Sequence, residues 1–187
     1  GTFAVSGSDL YIGIGGYVYL SPDNGDTWYD ISTGLPGTKS ITSLVFYKGD
    51  LYAGTWGAAV FYLPDGGSNW IAISGMTGEY ISDLGVHGDR LYASTNNLGV
   101  NMLNDEGDGW VQVNTGLPLS SPQSLYVYDT NLFVSVLTQG TYLLMNDDVS
   151  WSDFNLGWSG ISAEALIANG SYLFAGTRGE GVWKRRM

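Results

Sequence analysis

A β-propeller of about five four-stranded blades is the all-β fold class that this sequence predicts, and three recurring anchors predict it. A leucine followed by an aromatic residue recurs at Leu10-Tyr11, Leu51-Tyr52, Leu91-Tyr92, Leu132-Phe133 and Leu173-Phe174, at steps of 40 or 41 residues. A tryptophan recurs at Trp28, Trp70, Trp110 and Trp151, at steps of 40 to 42. Glycine followed by a large apolar residue recurs at Gly34-Leu35, Gly75-Met76, Gly116-Leu117 and Gly157-Trp158, each 41 apart. Three anchors that keep one period mark a repeat architecture.

Each repeat reads as four short strands, A to D. In the second repeat, strand A covers residues 43–47, Gly49-Asp50 turns the chain, and strand B covers 51–55. Strand C covers 59–63, a turn at 65–67 follows, and strand D covers 69–73. The runs are β-branched or aromatic and bounded by Gly and Asp, as strands are. No stretch sustains a helical period. The A strands are apolar on both faces, which suits sheets stacked face to face. Four strands every ~41 residues is propeller spacing, whereas a β-solenoid uses shorter coils.

The expected blades span 1–34, 41–74, 81–115, 122–156 and 162–187, in a single domain. Seven residues before each Leu-aromatic pair stand Phe3, Leu44, Leu84, Leu125 and Leu166, equivalent positions on strand A. Four blades are expected to be complete and the fifth to lack its outer strand. Lys184-Arg185-Arg186 would discourage strand addition at that edge, which reads as a natural end. No strap in which one terminus completes the other's blade is visible.

Composition narrows the functions. A net charge of −11 repels polyanions, so nucleic acid and anionic membranes are poor partners. Cysteine is absent, which excludes disulfides, thiolate metal sites and thiol nucleophiles. With one histidine, His87, expected as a solvent-exposed turn residue, no transition-metal site is expected. The Asp-rich turns lack EF-hand spacing and the chain has no phosphate loop, so no cofactor is expected. No apolar stretch approaches the ~20 residues that span a bilayer, and no leader with a charged segment and apolar run opens the chain.

The C–D turn of the first repeat, Ser21-Pro22-Asp23-Asn24-Gly25-Asp26-Thr27-Trp28, carries the pattern Ser-x-Asp-x-Gly-x-Thr-Trp in full. Later copies keep Asp65, Gly67 and Trp70, then Asp105, Gly107 and Trp110. Around Trp151 the loop is shorter, and Asn146 or Asp147 fills the Asp role. Over nearly the whole chain this resembles the Asp-box, or bacterial neuraminidase repeat, sialidase-like propellers. Residues 51–57 and 173–179 look most like secreted bacterial members, which implies a secreted or cell-surface protein. Sialidases, xyloglucan-degrading enzymes, sorting receptors and photosystem assembly factors share the turn, so the resemblance implies fold and leaves activity open. The turn itself is expected to be structural. Its Asp accepts backbone N–H bonds, Gly25, Gly67 and Gly107 supply a positive φ, and the tryptophan packs between sheets.

Propeller geometry sorts the loops onto two faces. The A–B and C–D turns share one face and hold twelve of the 18 acidic residues. The B–C and D–A loops share the other and hold Lys39, Glu79, Tyr80 and Trp158, with Trp56, Asn96, Asn97, Gln139, Arg178 and Glu180. Aromatic rings stack on sugar C–H faces and amides bond hydroxyls, so Trp56, Tyr80, Asn96, Asn97, Gln139, Trp158 and Arg178 are the candidate ligand-binding residues.

Catalytic chemistry is thin. The arginine cluster with which sialidases hold a carboxylate is not evident. Asp83 and Glu164, with Glu79 near in sequence, form the one plausible pair of glycosidase carboxylates. Solvated polar residues at a channel mouth are their simpler account. The function expected is therefore a non-enzymatic binding or scaffold propeller, monomeric or weakly oligomeric, that meets a carbohydrate or protein on the B–C and D–A face. The alternatives are a glycoside hydrolase or a fragment of one, and a structural repeat module of a larger surface protein.

Overall fold

The computed structural model describes residues 1–118, 120–145, 150–155, 163–177 and 179–187, and among these every regular element is a β-strand. The first sheet holds β1 (Thr2–Ser6), β2 (Asp9–Ile14), β3 (Tyr17–Ser21) and β4 (Tyr29–Asp30). The second holds β5 (Ile41–Tyr47), β6 (Asp50–Thr55), β7 (Val60–Leu63) and β8 (Ile71–Ala72). The third holds β9 (Ile81–His87), β10 (Arg90–Thr95), β11 (Gly99–Leu103) and β12 (Trp110–Gln112). The fourth holds β13 (Pro122–Tyr128), β14 (Asn131–Val136), β15 (Gly140–Met145) and β16 (Ser152–Asp153). The fifth has three strands, β17 (Ala163–Asn169), β18 (Tyr172–Thr177) and β19 (Val182–Arg186). Each sheet is an antiparallel meander in chain order, as propeller blades are.

The period of the sequence is a period of register. Val5 pairs Leu10, Phe46 pairs Leu51, Val86 pairs Leu91, Val127 pairs Leu132 and Ala168 pairs Leu173. The blades stack through their inner strands, β1 on β5, β5 on β9, β9 on β13 and β13 on β17. Each junction is its own apolar cluster. Val18 of the first blade, for example, meets Leu44, Ala53 and Trp70 of the second. Burying one such leucine is worth ~1.5–3 kcal/mol.

Two of the sequence anchors are halves of one contact. Trp70 is buried against the preceding blade, and its indole Nε1 donates to the Ile31 carbonyl at 2.8 Å. Its backbone N–H donates to the Thr33 carbonyl at 2.8 Å. The next residue, Gly34, has φ of 100°, and a Cβ there would collide with the Trp70 carbonyl. Trp151 repeats the arrangement with Val113 and Thr115, each at 2.7–2.8 Å, and with Gly116. The third copy is looser: the Trp110 indole N–H is buried without a partner. Trp28 differs because no described residue covers the front of its blade. It is exposed, and its Nε1 donates to Gly25 within its own turn at 3.1 Å. The outer strands are two or three residues long, shorter than the 69–73 run expected, because the residues before them carry this tryptophan into the neighbouring blade.

The structure corrects the reading of His87, which is buried. Its Nε2 lies 2.9 Å from the Thr130 carbonyl of the next blade and so donates to it. The repeat explains the burial. Tyr47 and Tyr128 occupy the same register, and their hydroxyls donate to Asp89 O at 2.7 Å and Gly170 O at 3.1 Å in their following blades. All three side chains clasp one blade to the next.

Trp70→Phe keeps the packing and orphans a carbonyl, so it should destabilise the protein by about 1–3 kcal/mol. Trp28→Phe should cost less than about 0.5 kcal/mol, as surface changes do. Urea unfolding of the two variants checks this, and equal losses would contradict the junction role.

Candidate functional site

The contacts agree with the two-face sorting of loops. On the acidic face the Asp65 N–H binds the Asp50 carboxylate at 2.9 Å, joining a C–D turn to an A–B turn. The turn over residues 21–28 consumes its own polar groups. Asp23 Oδ1 accepts from Ser21 Oγ at 2.8 Å and from Thr27 N at 2.8 Å, and Oδ2 accepts from Thr27 Oγ1 at 2.6 Å. Ser21 Oγ in turn accepts from Gly25 N at 2.7 Å. The Thr27 bonds hold the Asp23 carboxyl below its ordinary range.

Two later copies depart from the expected assignment. In the second, the positive φ falls on Gly66, not Gly67. Gly67 is needed instead for space, since a Cβ would press to 2.8 Å of the Pro64 carbonyl. In the third, Asn104 and not Asp105 is the turn acceptor, taking the Asp108 and Gly109 N–H groups at 3.1 and 3.2 Å. Gly107 keeps its positive φ. The loop with Asn146 and Asp147 lies outside the described residues.

On the opposite face the fold brings four of the candidate residues together. Trp56 and Tyr80 form a bridge between the second and third blades. Their rings stand edge to face at 5.0 Å, and they remain 49% and 38% exposed. The Tyr80 carbonyl accepts from Asn96 N at 3.1 Å, and Glu79 accepts from the Asn97 amide at 3.1 Å. Asn96 and Asn97 then open a cleft of about 400 Å³ between the third and fourth blades. Its wall adds Gln112, Asn114, Ser120 and Ser121, with Leu98, Leu117, Pro118 and Pro122 as apolar floor. Asn114 is committed to the fold through Val100 N and Leu98 O, both at 2.7 Å. Ser121 Oγ donates to the Asn96 carbonyl at 3.2 Å and ties the two walls together. Gln139 is exposed on the β14–β15 loop and does not line this cleft. Trp158 and Arg178 lie outside the described residues.

The serines escaped the sequence reading because the loop at 118–122 lacks aromatic residues. Its pair of serines, Ser120 and Ser121, set between Pro118 and Pro122 was the available signal.

Asp83 is not the solvated residue expected at a channel mouth. A bulge at Ser82 in β9 re-aims it into the inner-strand layer. Its Oδ1 accepts from Ser43 Oγ at 2.8 Å and its own neighbour Leu84 N at 2.9 Å. Its Oδ2 accepts from Leu125 N at 2.9 Å and Ser124 Oγ at 3.4 Å. Ser43 and Ser124 hold the same register in the adjacent blades, so one carboxylate joins three blades. Burial raises its pKa above the ordinary carboxylate value, against the pull of these donors. Glu164 lies exposed on β17, in the fifth blade.

The fold is that of a β-propeller. No family model matches the chain, and no curated protein matches it. Solved structures do. The extracellular domain of the putative one component system BT4673 from B. thetaiotaomicron aligns at TM-score 0.77 and 15% identity, over 98% of this chain and 26% of that one. The WD40 β-propeller domain of Doa1 aligns at TM-score 0.76 and 12% identity, over 100% of this chain and 64% of that one. YCF48 bound to D1 peptide aligns at TM-score 0.70 and 13% identity, over 98% of this chain and 61% of that one. The chain thus spans from about a quarter to under two thirds of each.

Asp83→Asn sets an amide N–H against a donor and should cost about 1–3 kcal/mol. The pH dependence has a defined sign. A carboxyl with a raised folded pKa binds its proton more tightly when folded. Its contribution is full below the unfolded pKa and is lost as pH rises through the raised value. The melting temperature of the parent should therefore fall relative to Asp83→Asn across that interval. Parallel profiles would show that Asp83 titrates alike in both states.

Proposed function

We propose that this chain is a non-enzymatic binding propeller of the Asp-box kind, secreted or surface-exposed, whose B–C and D–A loop face captures a glycan. One observation carries the reading: the exposed Trp56–Tyr80 pair stands beside a cleft walled by amides and hydroxyls. An aromatic ring covers the C–H face of a sugar while side-chain amides meet its hydroxyls. The face brings few net charges, whereas on the acidic face the Asp23, Asp50 and Asp108 carboxylates are taken up in hydrogen bonds of the turns themselves. Against a glycosidase stands Asp83, whose lone pairs are taken by four donors from three blades, so it is not poised beside Glu164 for acid or nucleophile chemistry. The similarity to the extracellular domain of BT4673 accords with a surface location.

A peptide is the second reading, favoured by the similarity to YCF48 bound to D1 peptide. The same aromatic pair would then act as anchor, and backbone amides would meet the asparagines.

A glycan array with hydrolysis assayed in parallel tests the proposal, with a peptide library as the second arm. Trp56→Ala should weaken capture by about tenfold or more with the melting temperature unchanged, because affinity concentrates in aromatic anchors. Neutralising Asp65, Asp105 or Asp108 should leave it intact, and added salt should matter little. Turnover of a glycoside, or binding lost on neutralising the acidic turns, would refute the assignment.

A further inference from the structure

The repeat turns exposure into a comparison between equivalent positions. Leu44, Leu84, Leu125 and Leu166 are buried, each facing the blade before it, while Phe3 at the same register is 75% exposed. At the other end, Val18, Val60 and Val100 are fully buried under the blade that follows, and Thr141 nearly so. Val182 holds that register and is 75% exposed. Trp28, unlike Trp70 and Trp151, is likewise uncovered. The first blade therefore presents an open front and the fifth an open back, and among the described residues β1 and β17 are not stacked as the other inner strands are.

We propose that these two surfaces are a matched pair and that a second copy of this chain occupies them, head to tail. The four internal junctions state what covers a back face of this repeat: a front face of the same repeat, with an inner-strand leucine inserted against the third-strand residue, a valine at three junctions and Thr141 at the fourth. Among the described residues the first blade carries the one such front face left uncovered. The back carries Val182 and the exposed Ile167, and the front answers with Phe3, Val5 and Ile14, also exposed. A front-to-back contact is heterologous. Its smallest closed assembly is a dimer in which each copy's back covers the other's front.

Light scattering and sedimentation of the 187-residue protein over a concentration series test this. Association that grows with concentration is expected, and Phe3→Asp and Val182→Asp should each weaken it by about tenfold or more. Both residues are exposed in the single copy, so each variant should keep its melting temperature when dilute. Mixing the two variants should restore a dimer through one intact junction, since one supplies a sound back and the other a sound front. A protein that stays monomeric throughout overturns the proposal and leaves the faces to further repeats. So does association that only one substitution abolishes and mixing does not rescue, which marks a front-to-front contact.

Discussion

A blade of this protein cannot bury its own faces, and everything else in the fold follows from that constraint. Four short antiparallel strands make a sheet whose two surfaces are apolar at the inner strands, and each surface needs another sheet over it. The covering is done in one direction. In the second, third and fourth blades the inner-strand leucine and the turn tryptophan reach back, and the valine of the preceding blade's third strand waits beneath them. The indole N–H finds the carbonyl just past the preceding blade's outer strand, at Ile31 for Trp70 and at Val113 for Trp151. A buried indole without that acceptor would lose the offset to its desolvation. The outer strand is thus pinned both by its own ladder and by the next blade, which explains how two residues of pairing suffice for it.

This coupling also explains why the fold was legible from residues alone. The recurring tryptophan and the recurring glycine read as separate anchors, yet Gly34 keeps its place because the Trp70 backbone leaves no room for a Cβ. A contact that recurs between blades, tight at Gly34–Trp70 and Gly116–Trp151, imprints its period on both partners. The short fifth sheet was readable for the same reason, whereas the outer strands are shorter than the run read for them. His87 was misread because it was judged by residue type. Set in register with Tyr47 and Tyr128 it becomes a third member of a row of clasps, and its burial follows. Asp83 needed more than the period. Its register partners are serines, and the bulge that aims all three inward has no signature in composition.

The loop face was partly legible for a different reason. Aromatic and amide residues in loops stand out against a background of turns built from Gly and Asp, and Trp56, Tyr80, Asn96 and Asn97 were picked on that ground. What composition does not carry is adjacency across blades. The bridge between Trp56 and Tyr80 and the bond from Asn96 N to the Tyr80 carbonyl draw residues 24 and 16 positions apart into one strip. Ser120 and Ser121 join it from the next blade, although neither is conspicuous in a chain rich in small polar residues.

The two faces differ in how their polar groups are used, and this difference has a physical origin. The C–D turns must reverse the chain tightly, so their Asp and Asn side chains replace missing backbone partners, as Asp23 and Asn104 do. A carboxylate with its lone pairs filled has little left for a ligand. In the B–C and D–A loops that duty falls on a few buried or half-buried side chains: the Thr55 and Thr95 hydroxyls satisfy the loop backbone at Ala59 and Leu98, and Asn114 takes Val100 N and Leu98 O. Side chains above them, such as Trp56 and Asn97, are therefore released to face outward. The burden of folding the loops is carried one layer below the surface, and that is what leaves this end of the propeller able to vary its chemistry without disturbing the blades.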